Sequence, residues 1–186
     1  ANYAGALLIN QRGFKRCRLV LRGSAKQDYP TNYLQKPDAI VIGDIGNRWD
    51  YDLLNELMNQ VLEGAEIIAL HKGRYHQGES GLLLDSGAFV AALEHATGKQ
   101  ALVVGKPNQT FFELASNTFR CNPNELLMVG DDLINDIGGA NQMGMHTVLV
   151  QTGKYRKVLV EASSIQPQGY IPSIKELPAY LQNIIT

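Results

Sequence analysis

Three carboxylates, Asp131, Asp132 and Asp136, stand within six residues in the stretch LLMVGDDLINDIGGA, just past an apolar run and before a glycine-rich segment. Crowded carboxylates repel one another unless a cation neutralises them. A hard divalent cation such as Mg²⁺, held by one or two carboxylates with phosphate oxygens and waters, would do so. The simpler alternative is a helix cap, in which one Asp accepts backbone N–H groups and the others face water. Lys106, in VVGKPNQTFF, is the second candidate, an ammonium at a strand end just before a helix, where free N–H groups attract anions. A lysine before proline alone suits a solvated turn. At the ends of two core segments, however, Lys106 and Asp131 read together as a site for a phosphate and its metal.

The elements that position these residues follow from periodicity. From Ala101 the chain reads ALVVG as strand, NQTFFELASNTF as helix capped by Asn108, LLMVG as strand, INDIGGANQMG as helix stopped by Gly144, and TVLVQTG as strand. Ser173 and Glu176 have capping-box spacing, with Pro178 opening a further helical piece. Upstream, AIVIGD and EIIAL suit buried strands around a helix with Asp50 as cap, Gly64 as stop and Leu53, Leu54, Leu57, Met58, Val61 and Leu62 at helical spacing. GALLIN and CRLVL read as short strands, RGSAKQDYPTNYLQKPD and HKGRYHQGESG as loops, and GAFVAALEHAT as a helix capped by Ser86 and ended by Gly98. Strands alternating with helices imply a doubly wound parallel sheet, with ligands beyond the carboxyl ends of its strands.

Composition narrows the function class. Seventeen basic against 18 acidic residues leave a net charge of −1, no footprint for nucleic acid or an anionic membrane. Cys17 and Cys121 lie far apart and outside any zinc spacing, so they read as reduced structural thiols. No apolar run approaches membrane-spanning length, and the first residues lack the pattern of a secretory signal, which makes the cytoplasm the expected compartment.

VVGKP, followed some twenty residues later by LLMVGDDLINDIGGANQMGMHTVLVQTGKYR, resembles the third and fourth motifs of the haloacid dehalogenase-like (HAD) hydrolases. The similarity is to phosphatases with a large α/β cap inserted between the second and third motifs, and it covers most of residues 39 to 156. The resemblance implies an α/β fold: an α/β cap domain over residues 1–100, and the C-terminal half of a Rossmann-like HAD core over 101–186. It further implies a Mg²⁺-dependent hydrolase, a phosphatase acting on a small phosphorylated substrate through an aspartyl-phosphate. Lys106 would offset charge on the nucleophile and phosphoryl group, Asp131 would be the direct metal ligand, Asp136 the supporting acid and Asp132 a less direct neighbour. A homodimer through the cap is also expected, since relatives form them.

The pattern is incomplete. Relatives begin with Asp-x-Asp-Gly-Thr/Val after a first strand, and that motif does not occur here. Asp44 in VIGDIGN lacks the second Asp, and no second-motif Ser/Thr follows a strand ahead of the cap. The expectation is a fragment of a longer phosphatase, inactive by itself, with LLMVG left as an apolar edge. A non-catalytic phosphate- or metal-binding relative stays open as the alternative. A signalling receiver domain is disfavoured, because its acid pair precedes its lysine whereas Lys106 precedes Asp131 here.

Three more groups carry weaker signals. His71, Lys72, Arg74 and His76 could face a phosphorylated substrate or simply be a solvated basic loop. Lys154 and Arg156 in QTGKYR lack the upstream glycine of a phosphate loop and read as loop residues. Trp49 and Tyr51 read as packing groups at a helix start.

Overall fold

A computed structural model describes residues 1–29, 33–78 and 81–185, and its contacts divide the chain into two units, Ala1–Gly105 and Lys106–Thr186. In chain order the first unit runs α1 (Asn2–Arg12), β1 (Cys17–Val20), β2 (Ala39–Ile42), α2 (Tyr51–Leu62), β3 (Glu66–Ala69), β4 (Tyr75–Gly78), β5 (Gly81–Leu84), α3 (Ser86–Thr97) and β6 (Leu102–Val103). The second runs α4 (Gln109–Phe119), β7 (Leu127–Gly130), α5 (Gly139–Gln142), β8 (His146–Val150), α6 (Lys157–Glu161), β9 (Gly169–Ile171) and α7 (Leu177–Ile185).

In the first unit, Ala39–Ile42 is buried at every residue, as a central strand of a covered parallel sheet must be. The strand order is β1-β2-β3-β6, all parallel. Asp50 caps α2 by accepting the Leu53 N–H at 2.8 Å, and Leu57 and Val61, one turn apart, pack on Ile40, Ile42 and Ile67. Trp49 stacks on Phe89 with ring centroids 4.4 Å apart, so it packs as expected. Tyr51 does not: its side of α2 faces solvent and the residue is 78% exposed.

In the second unit, β7, β8 and β9 form a parallel sheet in that order. Phe112 of α4 packs on Ala140 and Met145, while Val148 and Val150 of β8 pack on Ile171. A Cβ at Gly139 would stand 2.8 Å from Phe112 Cζ, so glycine lets α5 approach α4 closely. The strand expected in Ala101–Gly105 shortens to Leu102–Val103 and pairs with β3 of the first unit.

The structure departs from local pattern at several points. GALLIN belongs to helix α1, because Ala and Leu favour a helix and Ala4, Ala6 and Ile9 are buried in it. HKGRYHQGESG is not wholly loop: Tyr75–Gly78 pairs antiparallel with Gly81–Leu84, a continuous apolar run that supplies the partner strand. Glu79 and Ser80 of that stretch lie outside the described residues, as do Pro30 to Asn32 of the upstream loop. That upstream loop also contains a 3₁₀ turn, Gly23–Asp28. The cap of α3 is Asp85, whose carboxylate accepts the Ser86 N–H at 2.7 Å, while Ser86 becomes the first helical residue. Ser173 caps its turn through the Lys175 N–H, and a reciprocal capping box falls instead at Asn122 and Glu125. INDIGGANQMG opens as a π-helical turn, Leu133–Gly138, before α5. Strand β9 and helix α6 lie where the sequence pattern gave no element.

Candidate active site

Strands β7 and β8 run parallel with Gly130 opposite Leu149, so the turns that follow them open at the same end of the sheet. Carboxyl ends of parallel strands are where loops and helix N-termini converge on ligands. Asp131 immediately follows β7. Its Oδ2 accepts the backbone N–H of Lys154 at 2.8 Å, from the turn after β8. Gly153, at φ 57°, makes this approach possible, since a Cβ there would run into the Asp131 carboxylate, 3.0 Å from its Cγ. Among the described residues Asp131 Oδ1 accepts no hydrogen bond.

Asp132 is fully engaged. Its Oδ1 accepts N–H groups of Ile134 and Asn135 at 3.2 and 2.9 Å, capping the π turn. Its Oδ2 accepts Asn135 Nδ2 at 2.8 Å and Lys154 Nζ at 3.0 Å. Burial pushes this carboxyl upward, but the bonds from Asn135 and Lys154 outweigh it and hold Asp132 below the usual carboxylate range. Reciprocally, the bond to Asp132 raises Lys154 above an ordinary lysine.

Asp136 sits inside the π turn and is buried, its side chain 6% exposed. Its Oδ1 lies 2.6 Å from Lys106 Nζ, and its Oδ2 accepts the Asp132 N–H at 3.2 Å. Gly130 leaves room beneath it, because a Cβ there would stand 2.5 Å from Asp136 Cγ. Lys106 Nζ is 5.8 Å from the Phe111 ring centroid, within cation–π range, and Asn108 caps α4 by accepting the Thr110 N–H at 2.9 Å. Lys106, Asp131, Asp132 and Asp136 therefore share one unit.

Three carboxylates against two ammonium groups leave one formal negative charge, and the carboxylate without a cationic side-chain partner is Asp131. Among the described residues no three acidic, His or Cys side chains group as a metal cage. The donor set, one open carboxylate oxygen beside a buried ion pair, fits a cation that keeps several waters and takes phosphate oxygens, as Mg²⁺ does.

In the first unit, the basic residues of the 71–76 segment divide. His71 Nε2 lies 2.8 Å from Asp85 Oδ1 and 2.9 Å from Ser86 Oγ. Both contacts use the same ring nitrogen, so these residues do not form a Ser-His-Asp relay, which needs one nitrogen for each partner. Burial raises the Asp85 carboxyl, but the His71 and Ser86 bonds hold it below its ordinary range. Lys72 Nζ is 2.6 Å from Glu94 Oε2, whereas Arg74 and His76 are exposed. Asp44 turns back on its own loop, accepting the Gly46 N–H at 2.7 Å and standing 3.4 Å from Arg22.

A family model described as HAD-hydrolase-like matches residues 103–177. Haloacid dehalogenase-like hydrolase domain-containing protein 2 of Bos taurus is 42% identical over 153 residues, 82% of this chain and 58% of that protein. The chain belongs to the haloacid dehalogenase-like hydrolase superfamily. Phospholysine phosphohistidine inorganic pyrophosphate phosphatase of Mus musculus, 34% identical over 171 residues, aligns with 91% of this HAD-like chain and 63% of its own length. A 4-nitrophenylphosphatase from Thermotoga maritima superposes with a TM-score of 0.86 at 25% identity, covering 96% of the HAD-like chain and 70% of that structure. The HAD-like chain thus spans about three fifths of the length of these curated relatives.

Lys154, which reads as a loop residue in sequence for want of the upstream glycine of a phosphate loop, joins this HAD-like cluster together with Gly153. A positive signal was present: Gly-Lys in the turn after a strand that neighbours the acid-bearing strand in a parallel sheet.

Proposed function

We propose that this chain is the cap and the second half of the core of a Mg²⁺-dependent phosphohydrolase acting on a small phosphorylated substrate. The observation that carries the reading is the pairing of Lys106 with buried Asp136 beside Asp131, whose Oδ1 stays open at the carboxyl end of a parallel sheet. In this reading Asp131 offers the metal its direct carboxylate oxygen. Asp136 supports it from the ion pair, and Asp132 acts through the cap that fixes the turn. Mg²⁺, when bound, would neutralise charge on the phosphoryl oxygens. Lys106 would add its ammonium to the same task, with about a third of its side chain exposed for contact.

The nucleophile belongs to a segment not among these 186 residues. A carboxylate there would attack phosphorus and expel the leaving alcohol, giving an aspartyl-phosphate that water then hydrolyses. Strand β7 supports this division. It lies at the edge of its sheet among the described residues, and Leu127, Met128 and Val129 are only partly buried, as expected of a strand that accepts another neighbour. The second reading, a non-catalytic phosphate- or metal-binding relative, is favoured by the missing Asp-x-Asp-Gly motif.

The deciding experiment measures p-nitrophenyl phosphate hydrolysis by the full-length gene product, with Mg²⁺ and with EDTA, in wild type and Asp131→Asn. Mg²⁺-dependent turnover lost in the variant supports the phosphohydrolase. Turnover unchanged by Asp131→Asn would remove the metal assignment, and wild-type inactivity would favour the binding relative.

Assembly and compartment belong to the same proposal. Tyr75, Leu82 and Leu84 are exposed on one face of the β4–β5 hairpin, which supports a homodimer through the first unit. Free Cys17 and Cys121 support a reducing, cytoplasmic setting. No helix among the described residues is long and apolar enough to cross a membrane.

A further inference from the structure

The turn after β8 touches both leading carboxylates of the acidic cluster with two different groups of one residue, Lys154. The Lys154 N–H binds Asp131 Oδ2 at 2.8 Å, and Lys154 Nζ binds Asp132 Oδ2 at 3.0 Å. Gly153 makes the first contact possible in two ways: its backbone is left-handed at φ 57°, and its missing Cβ leaves the space that Asp131 fills. The result is selective. One Asp131 oxygen is tied down while the other stays open, and Asp132 is saturated by four donors and left without a lone pair directed at a ligand.

We propose that the Gly153–Lys154 turn is the orienting device of the metal site, holding Asp131 so that Oδ1 alone faces the cation. This inference rests on the phosphohydrolase reading given above. Lys154 is a positioning residue and touches neither substrate nor metal. Its side chain is 66% exposed while the Asp132 side chain is 16% exposed, so the ion pair fastens a surface turn onto a mostly buried anchor. The backbone N–H then meets Asp131 in a fixed direction. Losing the ammonium loosens that fastening, whereas adding a methyl at Gly153 displaces the carboxylate directly.

The comparison of two glycines separates displacement from backbone strain. Gly144 has φ 73° and open space where a Cβ would go, so Gly144→Ala carries the strain without the collision. In the full-length protein, Mn²⁺ binding followed by electron paramagnetic resonance should weaken about tenfold or more in Gly153→Ala and stay near wild type in Gly144→Ala. Lys154→Met should weaken it about two- to fivefold, as loss of an exposed ion pair allows, with Lys154→Arg restoring most of the loss. A purely electrostatic role predicts the opposite sign, since removing a cation beside a metal site tightens cation binding. Tighter Mn²⁺ binding in Lys154→Met, or Gly153→Ala indistinguishable from Gly144→Ala, would overturn the proposal.

Amide exchange supplies a readout without metal. The Lys154 N–H should exchange faster in Gly153→Ala and Lys154→Met than in wild type, and unchanged exchange in both would also overturn it. Wild-type Mn²⁺ affinity insensitive to Asp131→Asn would sink the metal reading itself, leaving the exchange data to decide whether the turn orients Asp131.

Discussion

Lys106 Nζ stands 2.6 Å from Asp136 Oδ1, and the two ends of that bond differ in exposure: 36% for the lysine side chain and 6% for the aspartate. Removing the lysine strands a charge in a place that water barely reaches, while neutralising the aspartate leaves an ammonium that can still turn to solvent. Lys106→Met should therefore destabilise the protein by about 1–3 kcal/mol, below the range for wholly buried pairs because the lysine is partly solvated. Asp136→Asn should cost less. Urea unfolding of the two variants checks the order, and a larger cost for Asp136→Asn would contradict the burial argument.

Gly130 is held to glycine by a side chain. A methyl there would stand 2.5 Å from Asp136 Cβ and Cγ, and Asp136 cannot retreat while Lys106 and the Asp132 N–H hold it. Gly130→Ala should lower stability by about 1–3 kcal/mol, the usual cost of overpacking. Thermal unfolding gives the answer.

Asp38 introduces a pH dependence away from the site. Hydrogen bonds from the Arg16 side chain and backbone hold its carboxyl down to about 2, from an ordinary 3.8. A carboxylate lowered in the folded state adds stability that is complete above the unfolded value and lost as pH falls through the folded value. Wild type should lose stability between about pH 4 and about pH 2 more steeply than Asp38→Asn. The effect will be small, since the Arg16 side chain is about half exposed. Denaturant titrations at stepped pH would measure the difference in slope.

The two thiols should react at different rates. Cys17 is completely buried in β1, and burial pushes its thiol up to about 11, so thiolate is scarce and enclosed at pH 8. Cys121 is partly exposed. Iodoacetamide on native protein should modify Cys121 first, with Cys17 following only on unfolding. Equal rates on native protein would contradict the placement of β1.

Sequence by itself determined the elements whose signals are local. Asp50, Asn108 and Gly98 mark helix ends because capping is decided by the residue and its immediate neighbours. The buried run Ala39–Ile42 and the parallel class followed from continuous apolarity and strand-helix alternation. Asp131, Asp136 and Lys106 stood out as a group because their types and strand-end positions already suggested one anionic site with its counter-charge.

Tertiary structure decided matters that depend on distant partners. GALLIN became a helix and Leu82–Leu84 a hairpin strand, since short apolar runs suit either state until packing or a partner strand selects one. The differing commitments of the acids were likewise invisible in the string DDLIND, where the three look equivalent. They became distinct only when β8 lay beside β7, bringing Gly153 and Lys154 against Asp131 and Asp132, while Lys106 took Asp136. Hydrogen-bond direction and the room left by an absent Cβ belong to three-dimensional neighbours, and a sequence spaces those neighbours more than twenty residues apart.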